Sequence, residues 1–226
     1  MKDLYKKNSY LKAFSQIEDI NFSEDAFTDD SGAVLIKYNS GNVFCLEVSK
    51  GDFDEFSVAL GGRESGGKYY IENTVGYIGK YQMGELALAD VGLYIPNPNA
   101  TKSNSWTGTW TKKAKKMGIK SKEDFKKNPE VQEFANKEYK IKQWKAILKM
   151  GLDKYIGQTI RGCYITASGL LAGAHLKGAK GLKRFLEGDP TFKTTDGYGT
   201  DIRSYIKRFS GYNVSDVTGI SYFNIA

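Results

Sequence analysis

The spacing of hydrophobic and polar residues changes along the chain. Residues 33–48 carry two runs rich in β-branched and apolar residues, AVLIKY and VFCLEV, around the turn NSGN. This pattern is typical of a β-hairpin. From Asp52 the apolar residues take helical spacing, with Asp52 as the N-cap and Glu55 as its capping-box partner three residues later. Glycine pairs before and after Glu64 weaken the helix there, so we predict that Glu64 lies at a helix terminus.

The middle of the chain alternates between turn-rich and helical segments. Residues 66–82 mix glycine, asparagine and aromatic residues without a helical period, which predicts turns or a short β excursion. Helical spacing resumes over 83–91, and Asn128-Pro129 predicts the start of a longer helix with proline at its first position. The segment 164–176 has no charge and many small residues, so we predict a central buried helix there.

The last helix is predicted over DIRSYIKRF, after the turn DGYGT at residues 196–200, with Thr200 as its N-cap. This turn has some features of a calcium-binding loop, but it lacks the complete ligand series and is more simply a turn. The sequence therefore predicts an α-dominant α+β domain over 51–212. A short N-terminal hairpin element, 1–50, precedes this domain, and a C-terminal tail, 213–226, follows it.

Composition limits the classes of partner. The 226 residues are 40% hydrophobic, enough for a buried core, and 33 basic against 26 acidic residues give a net charge of +7. A basic protein favours a polyanion, and nucleic acid, anionic lipid and bacterial cell wall all qualify. No nucleic-acid-binding motif and no apolar run long enough for a bilayer are present, so we expect neither a nucleic-acid partner nor membrane insertion.

Few residues are suited to metal or nucleophilic chemistry. The chain has two cysteines, Cys45 and Cys163, and one histidine, His175. They form no CxxC or HExxH spacing, and no nucleophile elbow is present, so a zinc site and a Ser-His-Asp mechanism are disfavoured. We expect no metal and no cofactor. Carboxylate chemistry is the leading remaining option.

Three separated motifs carry the candidate chemistry. The first is ESGG at 64–67 and the second is GKYQM at 79–83; the third has two parts, AHLKGA at 174–179 and DIRSYI at 201–206. In order and spacing they resemble the lysozyme-like superfamily over about residues 56–212. The resemblance is strongest to the catalytic domains of soluble lytic transglycosylases and goose-type lysozymes, with phage and secreted muramidase-like domains nearby. It implies a lysozyme-like helical domain with a small β excursion.

The resemblance also implies roles for single residues. Glu64 would be the catalytic acid, and His175 stands where the family often has a tyrosine that assists it. The residues implied to bind substrate are Ser65, Tyr81, Gln82, His175 and Tyr205. Burial at a helix end, among tyrosine and isoleucine side chains, should raise the pKa of Glu64 and keep it protonated. The simpler alternative is a surface glutamate paired with Arg63 or Lys68.

The implied substrate is the glycan strand of bacterial peptidoglycan, and a second carboxylate separates two chemistries on it. An inverting muramidase needs a base that activates water, whereas a lytic transglycosylase lets a substrate hydroxyl attack and works with one glutamate. Glu72 is the only acid between Ser65 and Gln82, so it is the second candidate catalytic residue. A solvated loop glutamate is the alternative for Glu72, and a non-catalytic wall-binding module is the alternative for the whole chain.

Delivery follows from the N-terminal sequence. MKDLYKKNSYLKAF is polar and lacks the apolar stretch of a secretory signal. We therefore expect cytoplasmic synthesis and access to the cell wall by a signal-independent route, such as a secretion machine, injection or lysis. A delivery protein and a cognate inhibitor are the further partners that such an activity implies.

Overall fold

The computed structural model describes residues 50–219 and, before them, the backbone of three short strands. These strands form an antiparallel sheet in the order β1-β2-β3, and are β1 (Ala26–Thr28), β2 (Val34–Lys37) and β3 (Val43–Phe44). The two runs predicted to form a hairpin pair with each other, with Ile36 opposite Phe44, and β1 adds a third strand. The turn NSGN lies outside the described residues.

Helices dominate the rest of the structure, which confirms an α-dominant α+β fold. The helices are α1 (Phe53–Ser65), α2 (Glu85–Asp90), α3 (Lys112–Lys116), α4 (Lys122–Lys126), α5 (Pro129–Lys149), α6 (Ala167–Leu186), α7 (Ile202–Phe209) and α8 (Ser215–Thr218). Two antiparallel pairs of two-residue strands connect them, β4 (Tyr94–Ile95) with β5 (Thr109–Trp110) and β6 (Thr159–Ile160) with β7 (Cys163–Tyr164). In the part of the chain that the structure describes, no helix is long and apolar enough to cross a membrane.

Helix α1 begins and ends as the sequence predicts. The Asp52 carboxylate accepts hydrogen bonds from the backbone N–H groups of Asp54 and Glu55, and the Glu55 side chain accepts one from the Asp52 N–H at 2.8 Å, which completes the capping box. At the other end Gly66 has a φ of 65°, the left-handed conformation that terminates helices and favours glycine. Glu64 therefore lies in the last turn of α1.

The first part of helix α6 is completely buried, and its small residues allow close packing of α7. Every residue from 167 to 174 is buried. A Cβ on Gly173 would lie 3.2 Å from a side-chain carbon of Ile206, so a glycine permits this approach. The pattern of small residues at 164–176 thus predicted a buried helix correctly. Gly178, with a φ of 67° and a ψ of 165°, then breaks α6 into two segments.

One local prediction needs correction. The N-cap of α7 is Asp201 rather than Thr200, because the Asp201 carboxylate accepts from the Arg203 N–H at 2.8 Å. The Thr200 N–H instead donates to the carboxylate of Asp196 within the preceding turn. The segment after α1, predicted to form turns or a short β excursion, contains turns and the isolated bridges of Glu72 with Ile78 and Ile78 with Met83.

The short helix α8 follows the predicted boundary at residue 212. Val214, the residue before α8, and Val217, within α8, are buried in the same hydrophobic core as α1, α5, α6 and α7. The core therefore extends beyond residue 212, because these two valines remove further apolar surface from water.

Candidate active site

A cleft of about 1350 Å³ lies at the C-terminal end of α1. Its walls come from the last turn of α1, the loop at 72–77, the loop at 102–105, the first segment of α6, the loop at 196–200, and α7. Five of the residues singled out from the sequence line it: Glu64, Glu72, Gln82, His175 and Tyr205. They come from separate segments, so the fold brings the three motifs to one place.

Glu64 is held by two donors from distant parts of the chain. Its side chain is 15% exposed. The Tyr205 hydroxyl, from α7, donates to Glu64 Oε1 at 2.6 Å. Nε2 of His175, from α6, lies 3.4 Å from the same oxygen. Both contacts are made to Oε1, so the carboxyl group has one oxygen with two donors beside it and a second oxygen, Oε2, that neither contact uses.

Behind His175 lies a lysine that the sequence did not indicate. Lys140, from the middle of α5, is 0% exposed. Its Nζ lies 2.9 Å from Nδ1 of His175 and donates to Oε1 of Gln143 at 3.0 Å. Lys140, His175, Glu64 and Tyr205 therefore form a continuous chain of polar contacts from the interior of the domain to the cleft.

The environment lowers the pKa of Glu64, which corrects the prediction that it rises. Burial is the largest single influence and raises this pKa, as expected. The hydrogen bond and charge of His175, the hydrogen bond from Tyr205 and the charge of Lys140 act in the opposite direction and together outweigh burial. The carboxylate is therefore the favoured form of Glu64 in the free protein near neutral pH.

The two basic groups behind Glu64 are themselves disfavoured as cations. Burial lowers the pKa of Lys140 to about 7, against an opposing effect of the Glu64 charge. Burial and the charge of Lys140 lower the pKa of His175, although the hydrogen bond and charge of Glu64 oppose this. At neutral pH His175 is thus an uncharged imidazole, and its effect on Glu64 there comes from hydrogen bonding rather than from charge.

Ser65 and Tyr81 do not reach the cleft, which corrects their assignment as substrate-binding residues. The Ser65 hydroxyl donates to the backbone oxygens of Lys80 and Gly61, at 2.8 and 3.1 Å. Tyr81 is 1% exposed, and its hydroxyl donates to Oε2 of Glu133 at 2.5 Å. Both residues instead fasten the segment 79–82 to α1 and α5, which places Gln82.

Gln82 lies at the cleft because of a tight turn. Gly79 has a φ of 77°, and a Cβ there would come within 2.2 Å of Oε1 of Gln132, so only glycine fits. Gln82 itself has a φ of 46°, and its side-chain nitrogen donates to the Gly79 carbonyl at 3.0 Å. The amide is thereby fixed beside the cleft, as a substrate-binding residue requires.

Glu72 also lies at the cleft, but its carboxylate is engaged by two lysines of α4. Lys122 Nζ lies 2.8 Å from Oε1, and Lys126 Nζ lies 3.5 Å from Oε2. The hydrogen bond from Lys122 is the main cause of a lowered pKa for Glu72. Glu72 is therefore ionised, as a base must be, yet these two ammonium groups reduce its tendency to accept a proton.

Sequence reasoning missed a third acid at the cleft, Asp196. Its Oδ1 accepts from the backbone N–H groups of Tyr198 and Thr200, at 2.9 and 2.8 Å, which explains why the sequence indicated only a turn. The Tyr198 hydroxyl lies 3.1 Å from Oγ1 of Thr74, so the loops at 72–77 and 196–200 meet. Asp196 and Tyr198 thus add an acid and an aromatic ring to the site.

Comparison of this chain with protein-family models, curated proteins and solved structures finds no match. The motifs and the geometry of the cleft are therefore the observations from which a function can be inferred. Among residues 50–219 no three side chains of histidine, cysteine, aspartate or glutamate form a group that could hold a metal ion.

Proposed function

We propose that this chain cleaves the β-1,4 bond between N-acetylmuramic acid and N-acetylglucosamine in bacterial peptidoglycan, on a lysozyme-like fold with Glu64 as the general acid. The observation that carries the proposal is the convergence of the motifs on one cleft. Glu64, Gln82, His175 and Tyr205 lie far apart in the sequence, and all four line it. Chance similarity of short motifs gives no reason for such convergence.

The contacts of Glu64 fit a proton donor. Cleavage of a glycosidic bond requires a carboxylic acid that protonates the departing oxygen. Because Tyr205 and His175 both approach Oε1, the transferable proton belongs on Oε2. The same two donors then stabilise the carboxylate that remains after proton transfer, and this stabilisation favours the transition state.

The lowered pKa of Glu64 determines the conditions under which its protonated form is present. In the free protein the protonated form is favoured only in acid, since His175, Tyr205 and Lys140 together favour the carboxylate. A glycan that fills the cleft displaces water and removes solvation from the carboxylate, which raises the pKa of Glu64. We propose that Glu64 takes up its proton as the glycan binds, or from acid solution.

The walls of the cleft support a glycan as substrate. Tyr77 and Tyr198 are exposed there, and aromatic rings of this kind stack on the apolar faces of sugars. Gln82 offers an amide to hydroxyl or N-acetyl groups. A delivery protein and a cognate inhibitor remain predicted partners.

A lytic transglycosylase is the second candidate, and the ion pairs of Glu72 favour it. If Lys122 and Lys126 keep Glu72 from accepting a proton, attack by a hydroxyl of the substrate replaces activation of water. Mass spectrometry of the digested wall separates the two reactions. Hydrolysis gives reducing ends, and transglycosylation gives 1,6-anhydro ends.

The test is the digestion of purified peptidoglycan by wild type and by Glu64→Gln, with product analysis. The amide keeps the shape of the side chain and has no proton to transfer, so we expect turnover to fall by roughly 10²–10⁴-fold. Glu130→Gln is the matched control, because Glu130 is exposed and does not line the cleft.

Two outcomes would contradict the proposal. If Glu64→Gln keeps activity within about tenfold of wild type, Glu64 is not the general acid. A wild-type protein that binds peptidoglycan and releases no fragments at any pH would instead indicate a non-catalytic wall-binding module.

A further inference from the structure

Lys140 is a buried lysine whose position needs an explanation. A buried ammonium costs several kcal/mol of solvation, and lysines are almost never fully buried unless paired. Among the described residues no carboxylate lies within ion-pair distance of Lys140; its polar contacts are Nδ1 of His175 and Oε1 of Gln143. Burial of a lysine is unfavourable, and this lysine lies beside a residue that contacts the candidate acid. Such a position indicates a functional role.

We propose that Lys140 is a positioning residue that fixes the tautomer of His175 and thereby directs its Nε2–H towards Glu64. A protonated lysine can only donate, so Nδ1 of His175, 2.9 Å away, must be the acceptor. A neutral imidazole has one N–H, and when Nδ1 accepts, that N–H is on Nε2. Nε2 is the nitrogen that lies 3.4 Å from Glu64 Oε1.

The groups around this pair support the assignment. Glu64 of α1 faces His175 from one side, and Tyr205 of α7 donates to the same carboxylate oxygen. On α5 the ring of Tyr139 lies 5.6 Å from Lys140 Nζ, and Gln143 provides a second fixed acceptor. These contacts hold the ammonium in place, so the direction of its hydrogen bond to His175 follows from its protonation.

The consequence for turnover rests on the proposed function. With Nε2–H directed at Oε1, the proton of the acid is left on Oε2, where it can be transferred. If Lys140 is removed, Nδ1 can carry the proton and Nε2 becomes an acceptor that competes for the proton of Glu64. The lost charge of Lys140 also raises the pKa of His175, which favours a charged imidazolium paired with an ionised Glu64.

The test uses nitrogen NMR of the imidazole ring. His175 is the only histidine of the chain, so the imidazole signals of the full-length protein report on it alone. In the wild type just below pH 7, where Lys140 is mainly protonated and His175 is mainly neutral, we expect a neutral ring with its proton on Nε2. A proton on Nδ1, or a charged imidazolium, would overturn the proposal, and this measurement needs no variant.

Lys140→Met then tests whether Lys140 fixes this tautomer of His175. We expect the Nε2–H tautomer to lose its dominance and the pKa of His175 to rise. Lys137→Met is the matched control, since Lys137 lies three positions earlier on α5 and is exposed, and it should leave the ring signals unchanged. An unchanged Nε2–H tautomer in a folded Lys140→Met protein would refute the role of Lys140.

Kinetics separate this inference from the proposed function. We expect Lys140→Met to lower kcat by about tenfold or more while KM stays within about twofold, because orientation of the acid matters in the transition state. A changed tautomer with unchanged kcat would refute the positioning role. If Glu64→Gln also has no effect on turnover, the proposed function fails, while the wild-type ring signals still decide the tautomer.

Discussion

Lys140→Met should make the protein more stable near neutral pH, and the gain should shrink as the pH rises. The pKa of Lys140 falls from its ordinary 10.5 to about 7 in the folded state. Below about pH 7 the ammonium is charged in both states, so the full cost of its burial opposes folding. Between the two pKa values only the unfolded chain binds this proton, so the stability of the wild type rises with pH.

The magnitude follows from the shift. Each pH unit between the two pKa values changes the free energy of unfolding by about 1.4 kcal/mol. From about pH 7.5 to about pH 9.5 the free energy of unfolding changes by about 2.5 kcal/mol in total. The slope is below its full value at both limits, because Lys140 is partly titrated in the folded state near the lower pH and in the unfolded state near the higher one. Other groups also titrate over this range, but they are common to wild type and variant, and the changed titration of His175 in the variant is measured separately from its ring signals. The difference between the two proteins therefore isolates Lys140.

The assay is urea unfolding of wild type and Lys140→Met across this range of pH. We expect the advantage of the variant to decrease by about 2.5 kcal/mol from the lower to the higher pH. Lys137→Met serves as control, because Lys137 lies on the exposed side of the same helix, where its ammonium is 3.5 Å from the Asp216 carboxylate. A difference between wild type and Lys140→Met that stays constant with pH would refute the buried, titrating ammonium.

Two further predictions concern the chemistry at the cleft. Glu72→Gln should remove most turnover and leave glycan binding intact if Glu72 is the base of an inverting muramidase; full turnover with 1,6-anhydro products would assign the transglycosylase reaction instead. Tyr205→Phe removes a hydrogen bond that lowers the pKa of Glu64, so this pKa should rise. The decline of kcat/KM with increasing pH should then begin at a higher pH than in wild type, and a pH profile identical to that of wild type would contradict it.

The elements that the sequence predicted best depend on neighbouring residues. The capping box of α1 joins Asp52 to Glu55, and the glycine after Ser65 ends the helix. The start of α5 at Asn128-Pro129 is likewise local, with the Asn128 side chain accepting from Val131. Such contacts span only a few positions, so residue identity alone is enough to predict them.

The pKa of Glu64 was predicted in the wrong direction because the deciding partners are distant in sequence. Burial could be inferred from the apolar neighbours of Glu64, and it acts as expected. The hydrogen bond from Tyr205 crosses 141 positions, and Lys140 acts from another helix. Without the fold, no pattern shows that these groups converge on one carboxylate.

Helix α5 shows where the usual reading of amphipathic patterns fails. Its polar residues Gln132, Asn136, Lys140 and Gln143 recur at helical spacing and are buried, whereas the apolar Leu148 is 44% exposed. Each of the four has at least one polar partner on the inside, and among their side-chain atoms Nε2 of Gln143 is buried without a hydrogen-bond partner. Gln132 accepts from the Lys80 N–H, Asn136 donates to Ser57, and Lys140 contacts both Gln143 and His175.

A row of buried polar side chains destabilises the fold wherever its groups lack hydrogen-bond partners. Such a row is therefore expected where its polar groups have a role. On α5 the row runs from the turn that places Gln82 to the imidazole behind Glu64. One end therefore holds the turn of a candidate sugar contact, and the other contacts the imidazole beside the candidate acid. Helix α5 is thus the element that contacts both the turn of Gln82 and the imidazole of His175.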